Sequence, residues 1–236
     1  MTGKDKRYGQ FCPVARSLDV VGDRWTLLII RDLLRGKQRF KDLQGSLQGI
    51  APNLLSDRLK RLEQKGLVVR RMFKQIPPKV EYTLTAKGQA LESVLQSLAR
   101  FGMSMLMTDP VEGDLIDPEL IFQAMPAAFK PEEAGDLKVS VAVRLTGDHG
   151  GEWTVHIEDA ACRIHEGADS EAQTLISTDE LTWARIATGT LEPEAAARAG
   201  AIKIEGDREL AKRFPHLFVR APLTPEEAGT GGQKVS

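Results

Sequence analysis

Residues 52–84, PNLLSDRLKRLEQKGLVVRRMFKQIPPKVEYTL, change their hydrophobic period in mid-stretch, and the change decides the fold. The leucines at 55, 59 and 62 recur every three or four residues, which places them on one helix face. Pro52 falls in the first turn, where its missing amide costs nothing, and Gly66 ends the helix. Residues 67–73 and 80–84 are then rich in strand-forming side chains and flank a loop at 74–79 whose Pro77 and Pro78 do not suit a strand interior. A helix, a turn and a β-hairpin are predicted in that order.

Upstream, Val14, Leu18 and Val21 keep a helical spacing until Gly22 and Asp23 interrupt it. Residues 25–34 read as a second, more buried helix closed by Gly36, and residues 40–43 as a short third one before Gly45 and Gly49. The helix at 52–64 is therefore the fourth. Downstream, Thr85 is an expected N-cap for one long helix to about residue 107, with Leu91, Val94, Leu95, Leu98, Phe101, Met105 and Leu106 in a single stripe. Such a stripe needs a cover, and a symmetric second copy is the least demanding one, so a homodimer is expected.

After Asp109-Pro110 the pattern alternates between short strands and helices: a helix at about 118–125, a strand at 138–145, a hairpin from 152–157 and 160–165, a strand at 174–177, helices at 179–187 and 193–199, a strand at 202–204 and a helix at 208–214. A two-residue turn at Glu158-Asp159 would pair Val155 with Cys162, Trp153 with Ile164 and Glu152 with His165. The sheet then has one wet face and one dry face that helices cover, an α+β domain. Residues 223–236 lack apolar anchors and are expected to be disordered.

The 236 residues leave room for one or two domains with real cores, and the longest apolar runs fall far short of a membrane span. The polar N-terminus has no apolar secretory core, so a water-soluble cytoplasmic protein with no membrane partner is expected. A net charge of −1 hides a division: residues 1–108 hold 20 Lys and Arg against 9 Asp and Glu, a net +11, and residues 109–236 hold 12 against 24, a net −12. The basic half favours a polyanion, nucleic acid before membrane, because it has no interfacial helix.

The strings CPVARSLDVVGDRWTLLIIRDLLRGKQRF, IAPNLLSDRLKRLEQKGLVVRR and YTLTAKG together resemble the HxlR family of bacterial winged helix-turn-helix regulators over about residues 11–108. Two positions depart from that family's pattern: Gly22-Asp23-Arg24-Trp25 stands where two glycines usually precede a lysine and tryptophan, and Ala51 stands where a Ser or Thr cap is commoner. The weaker cap would loosen the recognition helix. Residues 115–220, through Trp153, the run DELTWARIATGTLEPEAAARAGAIKIEGD and the closing LAKRFPHLF, are similar to sterol carrier protein type lipid-binding domains, although the hairpin has Asp159-Ala160 where Asp-Gly is usual. The resemblances imply a multidomain chain: a mainly α winged helix-turn-helix DNA-binding and dimerisation domain at 1–108, an α+β sterol-carrier-like domain at 109–222 with an apolar ligand pocket, and the tail. They also imply a palindromic DNA operator and an apolar small-molecule or lipid effector. The competing reading is a lipid carrier or accessory protein whose basic half only dimerises.

The face of the fourth helix opposite its leucines offers Asn53, Ser56, Asp57 and Lys60 to one groove wall. Asn53 can pair with adenine, Ser56 with a base edge or phosphate, and Lys60 with guanine or phosphate. Asp57 fits only by accepting from cytosine or by pairing with Arg58 or Arg61. Lys74 and Lys79 flank the wing tip and Arg39 precedes the third helix, all three as phosphate contacts. A solvated helix face and a lysine-guarded hairpin edge are the plainer readings. For the pocket, Phe122, Met125, Phe129, Trp153, Ile164, Trp183 and Ile186 are candidates, with plain core as the alternative.

Cys12, before Pro13 at a helix start where the macrodipole lowers a thiol pKa, is a candidate redox sensor, since some family members sense oxidants at this place. A small buried hydrophobe is the alternative. Cys162 faces the expected core and should be inert. His149, His156, His165 and His216 complete no metal site, and neither a catalytic constellation nor a cofactor motif is recognisable, so no cofactor is expected.

Overall fold

Short apolar periods punctuated by glycine fold into short helices. The computed structural model of the chain describes residues 7–76 and 78–219; Pro77 and the tail at 223–236 lie outside the described residues. Helices α2 (Thr26–Leu34), α3 (Phe40–Ser46) and α4 (Pro52–Gln64) turn their apolar faces into one core, joined by Val21 of α1 (Pro13–Val21), in which Ile29, Ile30, Leu43 and Leu55 have no exposure. Strands β1 (Val68–Phe73) and β2 (Lys79–Leu84) form the wing, with Val68 opposite Leu84 and Phe73 opposite Lys79. On α1 only Ala15 and Val21 are buried; Phe11, Val14 and Leu18 face solvent.

The long helix expected after Thr85 is interrupted. It divides into α5 (Ala86–Gln89) and α6 (Glu92–Met105), because Leu91 N–H bonds to Gly88 O three residues back before Leu95 N–H resumes the four-residue spacing to Leu91 O. Thr85 is the N-cap, its hydroxyl accepting from Gly88 N–H at 3.1 Å. Gly88 is needed there, since a Cβ would sit 2.2 Å from the Leu67 carbonyl oxygen. Not one residue of α6 is buried.

The chain divides into two compact units between Leu95 and Gln96. In the second, α7 (Pro118–Ala128) and the unforeseen α8 (Pro131–Ala134) lead into β3 (Val139–Thr146), β4 (Gly151–Glu158), β5 (Ala161–Glu166) and β6 (Thr174–Asp179). Then follow α9 (Glu180–Thr188), α10 (Pro193–Arg198), β7 (Lys203–Gly206), α11 (Arg208–Arg213) and a 3₁₀ turn (Phe214–Leu217). The sheet order is β5-β4-β3-β6-β7, with β3 and β6 parallel and the other pairs antiparallel. Val141, Val143, Val155, Ile157 and Ile176 form its dry face and pack on Phe122, Trp183 and Phe214. Along α6, Arg100 Nε donates to the Ala127 carbonyl at 3.0 Å, which ties the end of that helix to α7.

The β4–β5 register corrects the expected one. Val155 faces Ile164, Ile157 faces Cys162, Trp153 faces Glu166 and Thr154 faces His165, because the turn residues are Asp159 and Ala160. Both have positive φ, 52° and 55°, the backbone that suits the twist of a two-residue hairpin. A slip of two residues leaves every side chain on its face, so hydrophobic patterning could not distinguish the two registers.

Candidate functional site

The buried Leu55, Leu59 and Leu62 fix the rotation of α4, and the 3.6-residue period then leaves Asn53, Ser56, Asp57 and Lys60 exposed together. Although Ala51 supplies no side-chain cap, the first turn closes through Leu55 N–H to the Ala51 carbonyl at 3.0 Å. The helix is held from its flank as well. Arg61 Nη1 lies 2.7 Å from Asp23 Oδ2 and Arg58 Nη2 3.9 Å from Asp23 Oδ1, while Arg58 Nε donates to the Arg24 carbonyl. Both guanidiniums reach Asp23, which sits at a departure from the family pattern. The same turn holds Trp25 at φ 78°, an uncommon backbone for an aromatic residue, with the Arg24 guanidinium 5.3 Å above its ring.

At the wing, Lys74 is exposed and Arg70 and Arg71 point outward from β1. Lys79 is engaged at home: it pairs with Glu81 and lies 5.6 Å over the Phe73 ring. Tyr82 N–H donates to the Gln38 carbonyl at 2.8 Å, which places the exposed Arg39 beside the base of the wing. Sequence reasoning did not single out Asp32. Its carboxylate is fully buried, accepts from Arg31 Nε at 2.8 Å and Ser46 Oγ at 2.6 Å, and lies 3.6 Å from Arg35 Nη1. A lone acid inside an apolar helix period carries no pattern that marks it.

In the second unit the seven pocket candidates do not share one cavity. Phe122 is sandwiched between Trp153 and Trp183, with ring centroids 4.6 and 5.3 Å away, and Phe129 packs on Phe218. Phe122, Trp153 and Ile164 border an open hollow of about 370 Å³ beside His165 and Glu166. Met125, Trp183 and Ile186 surround an apolar void of about 20 Å³, room for a single water. Trp183 and Ile186 also line a groove of about 450 Å³ floored by Ile176 and Ile204, a volume suited to a small ligand. The buried Trp183 indole N–H has no acceptor among the described residues, which for a buried donor is costly.

His156 and His165 stack at 5.0 Å, and among the described residues no group of three or more His, Cys, Asp or Glu is placed to hold a metal ion. Cys12 is the half-buried N-cap residue of α1, with no side-chain cap bond. Burial pushes the Cys162 thiol up to about 12. A thiol reagent at pH 8 is therefore expected to modify Cys12 and leave Cys162 untouched until the protein unfolds, which mass analysis of native wild-type and Cys12→Ser protein would check.

Residues 20–110 match the HxlR-like helix-turn-helix family, and residues 121–219 match the SCP-2 sterol transfer family, the two families the sequence resembles. Over 111 residues the chain is 33% identical to the "Uncharacterized HTH-type transcriptional regulator sll1512" of Synechocystis sp., covering 47% of this chain and 82% of the relative. Over 88 residues it is 42% identical to the HTH-type transcriptional regulator YodB of Bacillus subtilis, covering 37% and 79%. Among solved structures, the reduced form of YodB from B. subtilis is 38% identical with a TM-score of 0.37, over 41% of this chain and 96% of that one. The redox regulator HypR in its oxidized form is 36% identical with a TM-score of 0.37, over 39% and 94%. No described helix is long and apolar enough to cross a membrane.

Proposed function

Because the chain belongs to the HxlR-like helix-turn-helix family, we propose that it acts as a homodimeric transcription regulator, with residues 1–108 binding a palindromic DNA operator and residues 109–222 receiving an apolar effector. The observation that carries the reading is the exposed row Asn53, Ser56, Asp57 and Lys60 on a helix followed directly by a lysine-flanked wing, all within a half of net charge +11. On DNA, α4 would lie in the major groove, where Asn53 and Ser56 read base edges. Lys60, Lys74 and Arg39 would neutralise phosphates. Lys79 must first give up Glu81, so it is the weakest of the expected contacts.

A twofold mate supplies the second recognition helix that a palindrome needs. The exposed apolar side chains of α1 and those of α6 each support that mate, since exposed apolar surface of this kind marks an interface. An effector in the second unit would act by binding one arrangement of the dimer better than another and so shifting operator affinity. Mobility shifts with and without lipid extract test that coupling, and identical shifts would remove it. At Cys12 an oxidant would act by joining two copies, which non-reducing electrophoresis after diamide treatment would detect.

The Lys60→Ala/Lys74→Ala protein is expected to bind operator fragments weakly, with the slope of log affinity against log salt reduced by about 2, close to one unit per lost phosphate contact. Ligand binding by the second unit stays unchanged. A carrier whose basic half serves only to dimerise would show no such difference, because it would have no salt-dependent DNA binding to lose.

A further inference from the structure

Among the described residues two large apolar side chains stand wholly in water, Phe11 and Ile76. Phe11 comes just before α1 and joins Val14 and Leu18, the apolar side chains there that support a twofold mate. Ile76 belongs to the wing. It lies in the loop beyond Phe73 and Lys79, the outermost pair of β1 and β2. One exposed isoleucine would be ordinary surface, but Val69, Met72 and Phe73 are exposed on the same hairpin, which therefore presents apolar side chains from strand to tip. Residues 67–80 also hold Arg70, Arg71, Lys74 and Lys79 and no acid. An apolar tip set among cations repels a basic partner and suits a polyanion with apolar surface between its charges.

We infer that Ile76 is a wedge: on DNA the wing tip enters the minor groove beside each half-site, and the isoleucine pushes between two base pairs, unstacking them and bending the duplex. The inference rests on the DNA reading of the first unit and adds to it a selection by deformability. Apolar side chains open base steps in this way because they fill the gap without needing a hydrogen bond. Lys74, exposed and two residues away, is placed to hold a phosphate alongside. Because Pro77 follows in the sequence, Ile76 is biased toward extended backbone and loses less freedom on insertion. Pyrimidine–purine steps such as TA and CA unstack most easily, so operators carrying one at a fixed distance outside the bases read by α4 are preferred. A membrane surface would also accept an apolar loop among cations. The duplex is favoured because this hairpin directly follows the helix that exposes Asn53, Ser56, Asp57 and Lys60.

The test uses the full chain and duplexes that the wild-type protein itself selects from a random-sequence pool. Single adenines across and beside the site are replaced by 2-aminopurine, whose emission rises when a base unstacks. Wild-type protein should raise the emission at one step on each flank and should enrich TA or CA steps there. Ile76→Ser should abolish the rise and the enrichment and lower affinity about tenfold, the scale of isoleucine burial offset by the cost of unstacking. Ile76 is not part of the core, so this variant should melt like wild type. Ile76→Leu, an equally apolar wedge, should restore both signals, and Lys74→Ala should weaken binding and flatten its salt dependence while keeping the rise at saturation. A rise that survives Ile76→Ser, or no rise anywhere in duplexes that wild type binds, overturns the inference and leaves the DNA reading standing. Loss of binding to phosphatidylserine vesicles by Ile76→Ser protein, with its duplex signal intact, overturns it in favour of a membrane. Failure to recover any duplex from the pool overturns both readings.

Discussion

Leu98→Glu/Phe101→Glu protein is expected to sediment as a monomer and to bind operator fragments at least about 100-fold more weakly than wild type, the scale set by losing one of two linked contacts. Val94, Leu98, Phe101 and Met105 follow one another at helical spacing on α6 and are 44, 46, 54 and 59% exposed. Covering a large apolar side chain contributes on the order of 1.5–3 kcal/mol when burial is complete, so a few half-exposed residues on each copy suffice for association. Two carboxylates in that contact would meet their symmetry mates in a desolvated seam, where like charges repel strongly.

Neither Leu98 nor Phe101 belongs to the core of either unit, so the melting transitions of the variant should stay close to wild type. That separates lost association from lost folding. A variant that remains dimeric with full operator affinity would place the interface away from this face of α6, and the equally exposed Val14 and Leu18 of α1 would be the next to substitute.

The parts of the fold that were legible in the sequence are those governed by period. The leucine spacing of α4 and the switch to alternating residues at Gly66 each admit one geometry, and the exposed row from Asn53 to Lys60 follows from the buried row by rotation alone. What period cannot resolve is register. Glu158-Asp159 and Asp159-Ala160 turns differ by a two-residue slip that preserves both sheet faces, and the observed turn places positive φ on an alanine, the residue that least advertises it.

The break near Ala90 was illegible for a related reason. Gly88 reads as a mild helix weakener, and its role appears only when Leu67, distant in sequence, comes within 2.2 Å of where its Cβ would be. At the sites, Asp32 and the ion pairs of Asp23 escaped notice because single acids carry no spacing signal and take their meaning from arginines brought to them by tertiary packing. The pocket candidates chosen by apolarity divide among three separate cavities, and Phe129 lines none of them. Apolar residue type does not separate lining from filler, and only the cavity does.

Asp32→Ala should cost about 3–5 kcal/mol, the range for removing one partner of a buried ion pair. The carboxylate has no exposure, and the Arg35 side chain beside it is only 3% exposed, so the guanidinium cannot turn to water to replace this carboxylate when it is removed. Arg31, at 29% exposure, can rehydrate and should contribute little to the loss. Ser46→Ala, which removes one hydrogen bond from the same carboxylate, should cost about 1 kcal/mol. Asp32→Asn should fall between the two, because an amide oxygen still accepts from Ser46 but no longer balances Arg35.

Against a typical domain stability of roughly 5–15 kcal/mol, the alanine variant would lose much of its margin. Denaturant unfolding of the full chain should show the transition of the first unit moving to lower concentration in the order serine, asparagine, alanine variant, while that of the second unit stays in place. Operator binding should fail in the same order, since the Ser46–Asp32 bond fastens α3 to α2 and α3 leads into the turn that sets the start of α4. If Asp32→Ala shifted the first transition no further than Ser46→Ala, the buried carboxylate would be carrying no net electrostatic load, and the placing of α4 would have to rest on the leucine core and on Asp23 alone.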